Sequence, residues 1–136
     1  MAVIRRLRGR VDMSGMEMGC RILIVEDEFW TATHLAMEAR DRGAIVLGPI
    51  GSVPQAMEVL ASPDLPHAVI LDVQLRAQTA YPLADMLVRQ GIPFVFVTGY
   101  EREDLPTRFA DVPHFVKPFT GSDCIETALA LGMTAT

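Results

Sequence analysis

The stretch Ala68-Val69-Ile70-Leu71-Asp72, followed by Val73-Gln74-Leu75-Arg76, decides how this chain folds. An uninterrupted apolar run bounded by turn signals marks a strand buried on both faces, the environment of a central strand in a parallel sheet. The carboxylate that closes the run falls at the strand's C-terminal end, where open α/β sheets hold their ligands. Two other apolar runs end in the same way. Residues 22–25 lead into Glu26-Asp27-Glu28, and residues 94–97 lead into Thr98. If neighbouring strands carry these ends to one edge, carboxylates, a hydroxyl and Lys117 converge there.

Working outward, strands are expected over residues 21–26, 44–50, 67–72, 92–98 and 114–116. Helices fall between them. Phe29, Ala32, Thr33, Ala36, Met37 and Ala39 recur at helical spacing over residues 29–42, and Gly43 closes that helix. Ser52 caps a short helix over 54–60, where Pro54 is tolerated in the first turn. A loop through Thr79 precedes a third helix over 81–90, ended by Gly91, and Thr120 or Ser122 caps a last helix to about Gly132. Between Thr98 and Lys117, Pro106 and Pro113 leave room for a helical turn near 101–105 but not for a long helix. Strand and helix thus alternate five times. That pattern calls for a doubly wound, flavodoxin-like parallel sheet of order 2-1-3-4-5 with a short or mobile fourth helix. In that order the first and third strands are adjacent, and Asp27 and Asp72 meet.

At 136 residues, half of them hydrophobic and 21% charged, the chain is long enough for one domain with a sizeable core. The net charge of −5 is unevenly spread. Arg5, Arg6, Arg8 and Arg10 face only Asp12 in the first twelve residues, leaving 8 basic against 16 acidic side chains in the rest. An acidic body speaks against a nucleic-acid surface. Residues 1–19 show no sustained period and are expected to be a disordered basic extension, with the folded domain spanning 20–136. No run is long and apolar enough for a membrane span, and the Arg-rich start lacks the apolar block of a signal peptide, so a cytoplasmic location without membrane contact is expected. Cys20 and Cys124 are too isolated for a disulfide framework or a zinc site.

Glu26, Asp27 and Asp72 at one edge would repel one another unless a proton or cation intervened. Hard oxygen donors on a shallow, wet edge suit Mg2+, which retains waters and takes one or two carboxylates. A cation there makes phosphate a natural further ligand, with Lys117 and the Thr98 hydroxyl on its other sides. An Asp in such a site can itself be the nucleophile. Singly, each residue has an ordinary explanation in turn or helix-start chemistry. Together, each at its own strand end, they point to one site.

The pieces Ile22-Leu23-Ile24-Val25-Glu26-Asp27-Glu28, Leu71-Asp72, Val97-Thr98-Gly99 and Val116-Lys117-Pro118-Phe119 resemble, in this order and spacing, the receiver domain of two-component response regulators over residues 20–133. That resemblance implies that Asp72 accepts a phosphoryl group. Glu26, Asp27, Asp72 and the Gln74 backbone carbonyl would hold Mg2+, and Thr98 and Lys117 would contact the phosphoryl group. The donor would be a phosphohistidine on a sensor histidine kinase or a phosphotransfer protein. Phe94-Val95-Phe96-Val97-Thr98-Gly99-Tyr100 and Tyr81-Pro82-Leu83-Ala84-Asp85 are similar to an alphaproteobacterial subgroup with a Phe-Ala-Thr-Gly fourth strand, Val97 standing in place of that Ala. One departure concerns the switch. Many receivers carry Phe or Tyr three residues before the Lys, where this chain has His114, so Thr98, Tyr100 and His114 are the candidate switch residues. Phosphorylation is expected to order residues 100–112.

The expected function is that of a stand-alone regulator, not an enzyme beyond its own phosphorylation and dephosphorylation, acting through an unidentified protein partner as a monomer or weak homodimer. The alternatives are a degenerate receiver that binds without phosphorylation and an aspartyl-phosphate phosphatase. The latter uses Asp-x-Asp, whereas Gln74 and Phe29 follow Asp72 and Asp27 at that spacing.

Overall fold

The computed structural model describes residues 19–75, 78–99 and 105–134. The elements in order are β1 (Arg21–Val25), α1 (Phe29–Asp41), β2 (Ile45–Ile50), α2 (Val53–Leu60), β3 (Ala68–Asp72), β4 (Gln74–Leu75), β5 (Gln78–Thr79), α3 (Tyr81–Gln90), β6 (Phe94–Thr98), a 3-10 turn (Thr107–Phe109), β7 (His114–Val116) and α4 (Gly121–Thr134). The expected arm over residues 1–19 lies, apart from Gly19, outside the described residues.

Five strands form one parallel sheet in the order β2-β1-β3-β6-β7. Counting only these strands, this is the expected 2-1-3-4-5 flavodoxin-like arrangement. Every residue of β3 and β6 is buried, which explains why both read as continuous apolar runs. One core lies under α2, α3 and the 3-10 turn, built on Leu23, Leu71, Leu83, Phe96 and Phe109. The other lies under α1 and α4, built on Ile22, Ile70, Leu35, Val97 and Ile125.

Several boundaries and faces differ from the sequence reading. The buried stripe of α1 is Ala32, Leu35, Ala36 and Ala39, while Phe29 and Met37 are 68% and 58% exposed. At about 100° per residue, Met37 falls on the far side of a stripe centred on 32–39, and Phe29 lies at its edge in the first turn. Gly132 does not end α4, which runs on to Thr134. A Cβ at Gly132 would stand 3.2 Å from both Cys20 Sγ and His67 Cβ, so this glycine serves close packing inside the helix. The expected loop after Asp72 contains a small antiparallel ladder pairing Gln74 with Thr79 and Leu75 with Gln78. Of the fourth crossover, residues 105–113 hold the 3-10 turn and no α-helix, while the helical turn expected near 101–105 lies, apart from Leu105, outside the described residues.

Two local features position the site's surroundings. Ser52 caps α2, its hydroxyl accepting the Gln55 N–H at 3.3 Å. Gly48 interrupts the β1–β2 register with φ of +91°, and a Cβ there would lie 2.8 Å from Ile50 N and 3.0 Å from Ile24 O. Both neighbours are backbone and cannot swing aside. Gly48→Ala is therefore expected to destabilise the fold by about 2 kcal/mol, as a left-handed residue with a clash. Chemical denaturation checks this, and a variant as stable as the parent would show that β2 can shift outward.

Candidate functional site

Because the sheet is parallel, all five strands present their C-terminal ends at one edge. The β1–β3 register pairs Val25 with Leu71, which sets Glu26 beside Asp72. The β3–β6 register pairs Asp72 with Val97, one residue short of Thr98, and Thr98 in turn pairs with Val116, next to Lys117. The Lys117 N–H donates to the Thr98 carbonyl at 2.8 Å and anchors the lysine's backbone to β6. Glu26, Asp72 and Thr98 are only 3%, 4% and 1% exposed, although all three are polar.

Glu26, Asp27 and Asp72 each bring a carboxylate oxygen within 4.8 Å of the others. Lys117 Nζ stands 3.2 Å from Glu26 Oε1 and 3.3 Å from Asp72 Oδ2. Thus four of the sequence-nominated residues share one small volume. Gln74 adjoins them, its N–H donating to Asp72 Oδ1 at 3.1 Å, so the backbone after β3 turns back over the carboxylate. His114 lies lower, half-buried and paired with Phe96. Tyr100, the other nominated switch residue, lies outside the described residues.

The electrostatics are those of too much negative charge in too little water. Burial, and then the hydrogen bond shared with Asp72, push the Glu26 carboxyl up to about 7 against the pull of the Glu28 amide and Lys117. For Lys117, burial opposes the ammonium, but the charges of Asp72 and Glu26 outweigh it and leave its pKa raised. One ammonium does not neutralise three carboxylates. The donor set fits a hard divalent cation. Mg2+ with oxygen ligands at about 2.1 Å separates opposite ligands by about 4.2 Å, which a 4.8 Å cluster reaches with a small contraction.

Glu28 was not among the nominated site residues, yet its Oε1 lies 3.5 Å from Lys117 Nζ and accepts a hydrogen bond from the Thr31 hydroxyl. Its N–H donates to Glu26 Oε2 at 3.0 Å. The signal in the sequence was its place directly after the acid pair, just ahead of the first helix. Trp30 is 77% exposed and lines a groove of about 450 Å3 with Glu28, His34, Lys117 and Phe119. His67 lies just ahead of β3. Its Nδ1 accepts the Arg21 N–H at 2.8 Å, and burial, then the Arg21 charge, lower its pKa.

A flavodoxin-like sheet with an acid cluster at the ends of its central strands and a lysine at the end of the neighbouring edge strand is the receiver class of fold. No protein-family model matches the chain, and no curated protein matches it. Solved structures do. SdrG from Sphingomonas melonis Fr1 is 35% identical, covering 86% of this chain and 98% of its own, with a TM-score of 0.72. The BeF3-activated conformation of SdrG from Pseudomonas melonis Fr1 is 36% identical over 82% of this chain and 94% of its own, at 0.68. The PhyR receiver domain of Erythrobacter litoralis is 26% identical over 85% and 90%, at 0.70. The chain belongs to the receiver domains of two-component response regulators.

Proposed function

We propose that Asp72 accepts a phosphoryl group from a phosphohistidine of a sensor histidine kinase or phosphotransfer protein, and that the modified domain signals by binding another protein. The observation that carries this reading is the convergence of Glu26, Asp27 and Asp72 within 4.8 Å, with Lys117 Nζ against two of them. An Asp72 carboxylate oxygen attacks phosphorus, the P–N bond to the donor imidazole breaks, and the imidazole keeps the electron pair and takes up a proton. Glu26, Asp27, Asp72 and the Gln74 carbonyl would hold Mg2+, which supplies charge neutralisation for the transferring group. Lys117 and the Thr98 hydroxyl hold the remaining phosphoryl oxygens. A bound cation would favour the ionised form of Glu26, whose carboxyl is raised to about 7 without one. The reaction is confined to the protein's own side chain, with hydrolysis resetting it, so the domain is a switch and not an enzyme acting on other substrates.

A cytoplasmic, membrane-free setting belongs to the same proposal. Among the described residues no helix is long and apolar enough to cross a membrane. The test is intact mass after incubation with a small-molecule phosphodonor, with and without Mg2+. One added phosphate that requires Mg2+ is the expected result. A beryllofluoride titration followed by Trp30 fluorescence runs alongside, since rapid hydrolysis hides a short-lived adduct. No adduct and no Mg2+-dependent response would leave a receiver that binds partners without being phosphorylated.

A further inference from the structure

Among the described residues between β6 and β7, Phe109 and Arg108 fasten the segment to α3. Phe109 is 2% exposed, with its ring stacked on Tyr81 at 5.8 Å and 25°, and edge-on to Phe96 at 5.3 Å. Beside it, Arg108 makes a two-pronged pair with Asp85, at 2.9 Å and 3.1 Å, and its guanidinium lies 4.6 Å over the Phe109 ring. Tyr81 and Asp85 are four residues apart and share one face of the start of α3. The other end of this connection is Asp72. Gln74 N–H holds Asp72 Oδ1, the β4–β5 ladder follows, and the Ala80 N–H donates to the Val73 carbonyl at 2.8 Å, just before Tyr81. Val73 N–H in turn holds the Val97 carbonyl at 3.0 Å, so this return stretch is braced on β6. His114 lies half-buried on a three-residue edge strand. The rings that pack on Phe96, its strand partner, are those of Phe109, Phe94 and Tyr81.

We infer that occupancy of the Asp72 edge is transmitted to residues 105–112 through the β4–β5 ladder, the Tyr81–Phe109 stack and the Arg108–Asp85 pair, and not through residue 114. The inference rests on the phosphoacceptor reading of Asp72. A group bound at Asp72 displaces the Gln74 N–H from Oδ1, moves the ladder and reseats Tyr81 against Phe109. Packed rings and a two-pronged ion pair have discrete arrangements, so a small shift at Tyr81 becomes a change in how firmly the strap is held.

The experiment compares amide exchange of the intact chain with and without Mg2+ and beryllofluoride, while Trp30 fluorescence reports binding. The amides of Phe109, Ala110 and Val112, which donate to the Pro106, Thr107 and Phe109 carbonyls, are the readout. Their protection is expected to rise at least about fivefold on binding. Tyr81→Leu and Asp85→Asn are expected to keep binding but lose most of that rise, and His114→Ala to retain it. Asp85 is a surface residue, so its variant carries the test if Tyr81→Leu fails to fold. A rise unchanged in both variants, or lost only in His114→Ala, overturns the route. Binding by the parent with no change at these amides also overturns it while leaving the phosphoacceptor reading intact. Absence of any binding overturns both.

Discussion

Asp72→Asn is expected to abolish phosphoryl uptake completely while leaving the fold intact. In the proposed reaction the nucleophile is an ionised carboxylate oxygen, and a carboxamide oxygen lacks the charge to attack phosphorus at a useful rate. No neighbour replaces it. With its carboxyl raised to about 7, Glu26 is only partly ionised near neutral pH, and it and Asp27 are both ligands of the proposed cation. The substitution is sterically silent. An Asn oxygen can still accept the Gln74 N–H now found at 3.1 Å, and one negative charge leaves a crowded edge. Thermal unfolding should therefore stay level or rise, which separates lost chemistry from lost structure. Intact mass on both forms with Mg2+ and a small phosphodonor makes the measurement. An adduct of equal size on the Asn form would place the acceptor elsewhere.

The second large effect is a dependence of stability on pH that Mg2+ removes. Glu26 has its carboxyl raised from 4.5 to about 7 in the folded chain. Below pH 4.5 both folded and unfolded states hold the proton, and burial of the neutral acid costs nothing extra. Between 4.5 and 7 the unfolded chain loses the proton and the folded chain keeps it, so folding stability falls as pH rises. Above 7 the loss is complete, on the order of 3 kcal/mol. Denaturation without Mg2+ should show this decline, and Glu26→Gln should flatten it. Saturating Mg2+ should restore the lost stability in the parent above pH 7, because the cation binds the ionised form. The Gln variant should gain less from Mg2+ and bind it at least about tenfold more weakly. A parent whose stability is flat from pH 5 to 7.5 would mean that Lys117 and solvent already balance the Glu26 charge.

Much of this was legible because buried parallel strands are written plainly. The apolar runs before Glu26, Asp72 and Thr98 have no exposed face to blur them, and each ends where the polar residue begins. The order of strands followed from right-handed crossovers, and with it the meeting of Asp27 and Asp72. Reading faces of helices was harder. Alanines and a methionine at regular spacing did not distinguish the buried stripe of α1 from its flank, since Leu35, and not Met37, supplies the packed volume. Gly132 carried the ordinary signal of a helix end, but its role depends on Cys20 and His67, which the fold brings against it.

The sequence by itself determined the alternation of elements, the sheet class and which polar residues stand at strand ends, since those depend on local burial and chain direction. Only the tertiary structure decided what those residues feel and what they touch. The raised Glu26 carboxyl arises from burial against Asp72 across two strands, and Glu28 reaches Lys117 across 89 residues of chain. The Phe109 ring occupies the core beside Phe96 while His114 stays half-buried. Charge repulsion, desolvation and ring packing act through space over a few ångströms, and sequence spacing does not encode those distances.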